Sequence, residues 1–220
     1  RTSSTALREH IHEFDNQLHT ISGLVQLGEY DEVERYVDGI TEHRERLTST
    51  VTDRIDDLGV AALLIAKIGA AAARSVTVAL DDASHLPRQG DDASRDLCTV
   101  VGNLVDNAVD AVLENQAADA VLEQDAADAV VRVRIVADAD GIEVEVADNG
   151  PGIDTEDADR VFEQGWSTKG TSLDGHGFGL ALVRVVCRRR GGDVSVSERV
   201  EDGTRWTVFR AVTGAGGRTR

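Results

Sequence analysis

Asp148-Asn149-Gly150-Pro151-Gly152-Ile153, followed downstream by Gly175-His176-Gly177-Phe178-Gly179-Leu180, is the stretch that decides the fold. Before it, Ile142, Val144 and Val146 alternate with Glu143 and Glu145, so a strand ends at Asp148 and the chain turns. The second cluster opens an apolar segment, Phe178 to Arg190, that reads as a helix. Upstream lies Asn103-Leu104-Val105-Asp106-Asn107-Ala108, within a segment from Ser94 to about Glu114. Leu97, Val100, Val101, Leu104, Val105, Ala108 and Val112 give that segment one apolar helical face.

The neighbouring segments complete a sheet. Val131, Val133 and Ile135 alternate with Arg132 and Arg134, and Asp138-Ala139-Asp140-Gly141 leads into the strand that ends at Asp148. A hairpin there puts the apolar residues on one face and Arg134 opposite Glu145. Further strands are expected at Val76–Leu80, Asp193–Glu198 and Thr204–Val212, with helices at Ala61–Ala73 and Thr155–Phe162. One sheet covered by helices on one side makes a two-layer α+β domain. A nine-residue repeat, Asp110 to Ala118 and then Asp119 to Ala127, reads as an expanded helix-to-strand connection.

The N-terminal part is different. Leu7, Ile11, Phe14, Leu18, Ile21 and Val25 form a narrow heptad seam, Gly28 ends that helix, and Asp31 with Glu34 caps the next. The second helix carries Val33, Val37, Ile40, Leu47, Val51, Ile55 and Leu58. One hairpin buries too little by itself, so two chains are expected to pair them into a four-helix bundle. The expected organisation is a hairpin over 1–58, an α+β domain over 59–213 and a frayed tail over 214–220, with a hinge around Asp56 to Val60.

Composition narrows the function. The formal charge of −17 excludes a nucleic-acid partner, because phosphate backbones demand a basic surface. It reads as a solvated acidic surface such as a salt-tolerant source would favour, and any anionic ligand must be held by local devices. Cys98 and Cys187 are far apart and lack metal-ligand spacing, so both read as reduced core thiols. No stretch reaches the roughly 18 uncharged apolar residues of a membrane span. Without an initiating Met the chain reads as a piece of a longer protein, with sensing or membrane segments expected beyond it.

The chemistry follows from the motifs. Asn103, Asn107 and Asp110 at i, i+4 and i+7 project from one polar helix side, where Asn107 can offer a carbonyl oxygen to Mg²⁺. Asp148 can accept a hydrogen bond from an adenine amino group, while Gly150 and Gly152 let a purine lie near the backbone before Ile153. Gly175, Gly177 and Gly179 leave backbone N–H groups bare at a helix N-terminus, which suits a triphosphate. Lys169, in the loop after Thr168, is a γ-phosphate contact in the same reading. Near the start, His12 lies off the seam, with Glu13 beside it and Asn16 one turn on, so its imidazole can act as a nucleophile. His10 and His19 compete for that role, and spacing alone does not choose among the three.

As an ordered set these segments resemble the two-component sensor histidine kinases, in the subgroup sensing citrate and C4-dicarboxylates. Arg8 to His19 resembles that subgroup's phosphoacceptor box, and the resemblance assigns the acceptor to His12 with Glu13 and Asn16 as helpers. Asn103–Ala111 is similar to the N box, Asp148–Ile153 to the G1 box, Val161–Gly170 to the F box and lid start, and Gly175–Leu180 to the G2 box. Asp202-Gly203-Thr204 is similar to the last glycine motif. The resemblance implies a nucleotide site built from these boxes, including Phe178, Leu180 and Thr204, on an ATP-binding domain of the gyrase, Hsp90 and histidine-kinase type. It also implies ATP and Mg²⁺ as ligands, a homodimer, a response-regulator receiver domain as partner, and a cytoplasmic place in a membrane-anchored protein. Asp15 stands where the family has an apolar residue, and Leu173-Asp174 lengthen the lid. Two alternatives are a phosphate relay with a degenerate ATP-like domain and a water-activating ATPase on the same pocket. The intact boxes oppose the first, and Asn103, where the second needs a carboxylate, opposes the other.

Overall fold

Five strands in the order β1-β2-β3-β5-β4 form one sheet, and the order follows from how each strand is connected to the next. The computed structural model describes residues 19–20, 22–33, 48–121, 128–154, 157–166 and 178–214. The elements of the sheet unit are α1 (Leu58–Ala72), β1 (Thr77–Leu80), α2 (Asp91–Val121), β2 (Val130–Ala137), β3 (Gly141–Asp148), a 3₁₀ turn (Arg160–Phe162), α3 (Gly179–Arg189), β4 (Asp193–Glu201) and β5 (Thr204–Gly214). β1 and β2 are parallel, with α2 making the crossover between them, and the other pairs are antiparallel. The short connections are hairpins. Asp202 and Gly203, with φ of 50° and 80°, form the tight turn that joins β4 to β5.

Alternation sorts the two faces as the sequence implied. Val131, Val133, Ile135, Val144, Val146, Phe209 and Ala211 are buried on the face that α2 and α3 cover. Arg134 stands opposite Glu145 in the register, yet its guanidinium reaches diagonally to Glu143 at 3.2 Å. On the other face Arg132 lies over the Trp206 ring at 3.9 Å and pairs with Glu201, while Arg210 pairs with Glu143. These half-exposed pairs contribute little stability each, but they charge the face that no helix covers.

Two anchors fix the helices. Asp96 in α2 takes charge-assisted bonds from Arg189 and Arg190 at the end of α3. Asp57, 3% exposed, caps α1 by accepting from the Val60 N–H at 3.0 Å, and accepts also from Ser94 Oγ at 2.7 Å and the Gln89 N–H. Burial works against its charge, but the bonds from Ser94, Val60 and Gln89 outweigh it and hold the carboxyl below its usual range. Cys187 is fully buried and its thiol is pushed up to about 11, chiefly by burial, while Cys98 is half-buried; neither forms a disulfide.

The structure moves several expected boundaries. The chain divides between Thr50 and Val51 rather than after residue 58. Val51 and Ile55 are 1% exposed, Ile55 bridges Leu86, and Asp57 is the cap just described. The stretch expected to be the hinge, Asp56–Val60, is therefore part of the sheet unit. The α2 helix runs through the first copy of the nine-residue repeat instead of stopping near Glu114. Between 157 and 162 only a 3₁₀ turn follows where a short helix was expected. In the N-terminal unit, Gly28 ends a helix with φ of 77°, and the Glu29 N–H bonds the Leu24 carbonyl in the pattern of a Schellman stop. The next helix resumes at residue 30, so Asp31 lies inside its first turn and does not cap it. Residues 1–18 and 34–47, which carry most of the expected seam, and 215–220 of the expected tail lie outside the described residues, while Gly214 ends β5.

Replacing Asp57 by Ala removes a cap and leaves the Val60 and Gln89 N–H groups and Ser94 without their acceptor. The expected loss is about 2–3 kcal/mol of stability. Urea unfolding should show a lower midpoint with an unchanged slope. Because the folded-state carboxyl sits below its ordinary value, the difference should persist at neutral pH and fade only below about pH 4.

Candidate nucleotide-binding site

At the end of β3, the row Val131, Asp148, Thr207 and Glu198 crosses the sheet from β2 to β4. Asp148 is 1% exposed on the helix-covered face. Its Oδ1 accepts the Gly150 N–H at 3.0 Å, whereas its buried Oδ2 has no hydrogen-bond partner among the described residues. Burial pushes its pKa up to about 7, and the single bond from Gly150 does not offset that. A buried carboxylate with one oxygen unsatisfied calls for a donor from outside the protein.

The turn after Asp148 is shaped by packing. Asn149 points back to the sheet, accepting the Val130 N–H at 2.9 Å and donating to the Asp128 carbonyl at 2.6 Å. A Cβ on Gly150 would stand 3.1 Å from Ala111 and 2.8 Å from Asp148 Oδ1, so this glycine lets α2 close onto the turn. Gly152 has φ of 88°, and a Cβ there would meet Glu198 Oε1 at 2.7 Å. These two glycines are bare because protein groups crowd them, and the open space lies beside them.

That space is a cavity of about 290 Å³ lined by Asn107, Ala111, Glu114, Asp148, Gly152, Ile153, Leu180, Arg205 and Thr207, among others. The volume is at the lower end of the roughly 300–1,000 Å³ of small-molecule sites. Asn107 and Glu114 are seven residues apart on α2, so one face of that helix forms a wall with Ala111 between them. A second cavity, about 640 Å³, adjoins the start of α3 and is lined by Asn103, Phe162, Phe178, Gly179, Arg184 and Arg188, among others. Asn103 donates back to the Thr99 carbonyl at 2.7 Å, and its Oδ1 lies 2.8 Å from where a Gly179 Cβ would be.

The structure thus brings together Asn107, Asp148, Gly152, Ile153 and Leu180, with Gly150 holding the turn. Asn103, Phe178 and Gly179 meet at the second cavity. Asp110 does not join either lining: it lies 3.6 Å from Arg74, in the turn that follows α1. Thr204 sits at the exposed start of β5, opposite Glu201, and not in the cavity. Thr168, Lys169, Gly175 and Gly177, and the histidine group His12, Glu13 and Asn16, lie outside the described residues. Sequence reading missed Thr207, 3% exposed and paired with Asp148 across the sheet. Alternation along β5 could have found it, since Thr207 shares the parity of Phe209 and Ala211. Glu114 and Arg205 were missed as well.

A buried strand-end carboxylate, a glycine turn and an amide on the overlying helix thus meet at one cavity of an α+β domain. The family model described as histidine kinase-, DNA gyrase B- and HSP90-like ATPase matches residues 92–213, and the alpha-helical domain of the SpoOB-type sensor kinases matches residues 1–51. A probable C4-dicarboxylate sensor kinase of Halalkalibacterium halodurans is 32% identical over 205 residues, covering 93% of this chain and 36% of that protein. Sensor protein CitS of Bacillus subtilis is 34% identical over 213 residues, covering 95% and 36%, and sensor histidine kinase DcuS of Escherichia coli K12 is 33% identical over 192 residues, covering 87% and 33%. The chain belongs to the histidine kinase-, DNA gyrase B- and HSP90-like ATPase family. It spans about a third of the length of these curated relatives.

Asp148 makes stability depend on pH in a definite direction. Its folded pKa of about 7 lies well above the ordinary carboxylate range, so the folded state keeps a proton that the unfolded chain releases. The penalty of its ionisation therefore grows between about pH 4 and pH 7 and is complete above that. In Asp148→Asn this dependence is absent. Melting temperatures measured from pH 5 to pH 8 should shift in favour of the variant as pH rises; parallel profiles would contradict the buried, raised carboxyl.

Proposed function

We propose that this chain is the transmitter region of a two-component sensor histidine kinase, binding ATP on the sheet unit and phosphorylating itself on His12. The observation that carries the reading is Asp148 Oδ2, a buried acceptor without a donor at the wall of a cavity sized for a purine. An adenine amino group supplies that donor, and a guanine, with a carbonyl in the same place, does not. Thr207, adjacent in the sheet, adds a hydroxyl beside the same edge of the base. Ala111, Ile153 and Leu180 line the cavity with apolar surface for the ring faces.

Asn107 is the residue that fits magnesium, because its carboxamide oxygen lines the cavity and Mg²⁺ takes oxygen ligands while keeping several waters. Among the described residues no group of three or more His, Cys, Asp or Glu gathers as a protein-only cage. An ion shared with phosphates needs no such cage. Asn107 would help to hold Mg²⁺ at this wall, and the ion would supply charge neutralisation for phosphoryl transfer.

In the transfer, an imidazole nitrogen of His12 forms a bond to the γ-phosphorus as the bond to the β-phosphate oxygen breaks, and ADP leaves. Glu13 takes up or orients the imidazole proton, and Asn16 orients the ring or the incoming phosphoryl group. The phosphoryl group then passes to an aspartate of a response-regulator receiver domain. The helices before Val51 form the dimer, and the region lies on the cytoplasmic side of a membrane-anchored protein. Among the described residues no helix is long and apolar enough to cross a membrane.

Incubation with γ-labelled ATP and Mg²⁺ tests this reading. The expected result is acid-labile label on the chain that is lost in His12→Gln, with nucleotide binding retained. Asp148→Asn should abolish both label and ATP binding, and Asn107→Ala should lower label by at least about 100-fold, as loss of a charge-stabilising contact does. Steady phosphate release with no label on the chain would point to a water-activating ATPase instead.

A further inference from the structure

The turn that presents Asp148 is gripped from the β4–β5 hairpin, on the same face of the sheet, by two residues that the nucleotide reading does not use. Arg205, near the start of β5, donates from Nη2 to the Pro151 carbonyl. Glu198 on β4 lies 3.9 Å from Arg205 Nη1. Both crowd Gly152: a Cβ there would stand 2.7 Å from Glu198 Oε1 and 3.1 Å from Arg205 Cζ. Gly152 in turn has a left-handed φ of 88° and lies next to the gripped carbonyl. Arg205 is the one basic residue among the described residues that line the cavity, where Glu114, Asp148, Asp154, Asp157 and Glu198 supply carboxylates.

We infer that Arg205, steadied by Glu198, is a positioning residue for recognition of the purine 6-amino group. The inference rests on the ATP reading above and adds a determinant of base selectivity to it. The chain of contacts is short. Arg205 holds the carbonyl of Pro151, Pro151 follows Gly150, and the Gly150 N–H fixes Asp148 Oδ1 while Oδ2 is left without a partner among the described residues. Arg205 and Thr207 share one face of β5, and Glu198 pairs with Thr207, so the β4–β5 hairpin sets the turn and the base edge together. When the grip is removed the turn gains freedom around Gly152, and the carboxylate no longer meets the amino group at fixed geometry. Selectivity then falls although Asp148 itself is intact. Both side chains are about half exposed, so as a surface pair they contribute little to folding.

The test is a cycle on the full 220-residue chain. Dissociation constants are measured with Mg²⁺ for ATP and for purine riboside triphosphate, which lacks the 6-amino group, on the wild type, Arg205→Ala and Arg205→Lys, together with melting temperatures. Arg205→Ala should weaken ATP about tenfold and leave the deamino analogue unchanged, with Arg205→Lys, which keeps one donor, losing about threefold. Melting temperatures should stay within about 2 °C of wild type, as for an exposed pair. Equal losses for both nucleotides, or loss accompanied by a large drop in melting temperature, would assign Arg205 a structural role and overturn the inference. An unchanged ATP affinity in Arg205→Ala would overturn it too. If the wild type binds neither nucleotide, the ATP reading itself fails, and this inference with it; that outcome is distinguished because it appears before any substitution is made.

Discussion

A carboxylate buried in a sheet with one oxygen unmatched is the constraint that the rest of this structure serves. Burying Asp148 with one oxygen unpartnered is unfavourable to folding, and the same burial pushes its pKa up. The surroundings make the arrangement tolerable by being apolar and tightly registered. Val131, Val146 and Phe209 are all but fully buried around it, and Thr207 stands beside it. Asn149 ties the following turn to the start of β2, and Gly150 lets α2 approach. Each neighbour removes a way in which the carboxylate could rotate out to water. What remains is a charge that is best satisfied by a ligand.

The helices matter chiefly for where they hold their side chains. Because α2 crosses from β1 to β2 over the sheet, Asn107, Ala111 and Glu114 come down beside the end of β3. Its N-terminal part is fixed to the end of α3 by Asp96 with Arg189 and Arg190, and to the start of α1 by Ser94 with Asp57. The two tethers sit at one end of α2 and the cavity lies further along. The wall of the cavity is thereby rigid at its base, while the repeat extends the helix at its other end. That placement lets the chain carry an added nine-residue copy without moving Asn107.

Much of this was readable before any coordinates. Strand alternation gave the β2–β3 hairpin in its observed register, down to Arg134 opposite Glu145, because a buried face permits only one parity. The glycine boxes marked the turn and the start of α3. Other features depend on partners distant in sequence. Asp110 has the right spacing to share a face with Asn107, but it pairs with Arg74, from the turn after α1, and does not line the cavity that Asn107 lines. Thr204 belongs to a glycine motif, whereas Thr207, three residues on, is the one whose parity and register bring it to Asp148. The role given to Gly150 and Gly152 was also only half legible: the positions were evident, but the groups that crowd them come from α2 and β4. Val51 and Ile55 continue the helical stripe of the hairpin in sequence and yet pack in the sheet unit, so the boundary could not be drawn from periodicity.

Charge decides how such a site works. The chain carries a formal −17, and the cavity itself is lined mainly by carboxylates on its polar side. A polyanion gains nothing from the long-range field here and is repelled by it at low ionic strength. On the proposed function, affinity originates in short-range contacts: the purine edge at Asp148, apolar contact with Ala111, Ile153 and Leu180, and N–H groups where α3 begins. Phosphate contact in such a setting depends on a counter-cation held with the ligand. The two cavities share their walls: α2 reaches one with Asn107 and the other with Asn103, and α3 reaches one with Leu180 and the other with Gly179. A helix straight and anchored enough to keep those two amides one turn apart is the mechanical requirement that links recognition to transfer.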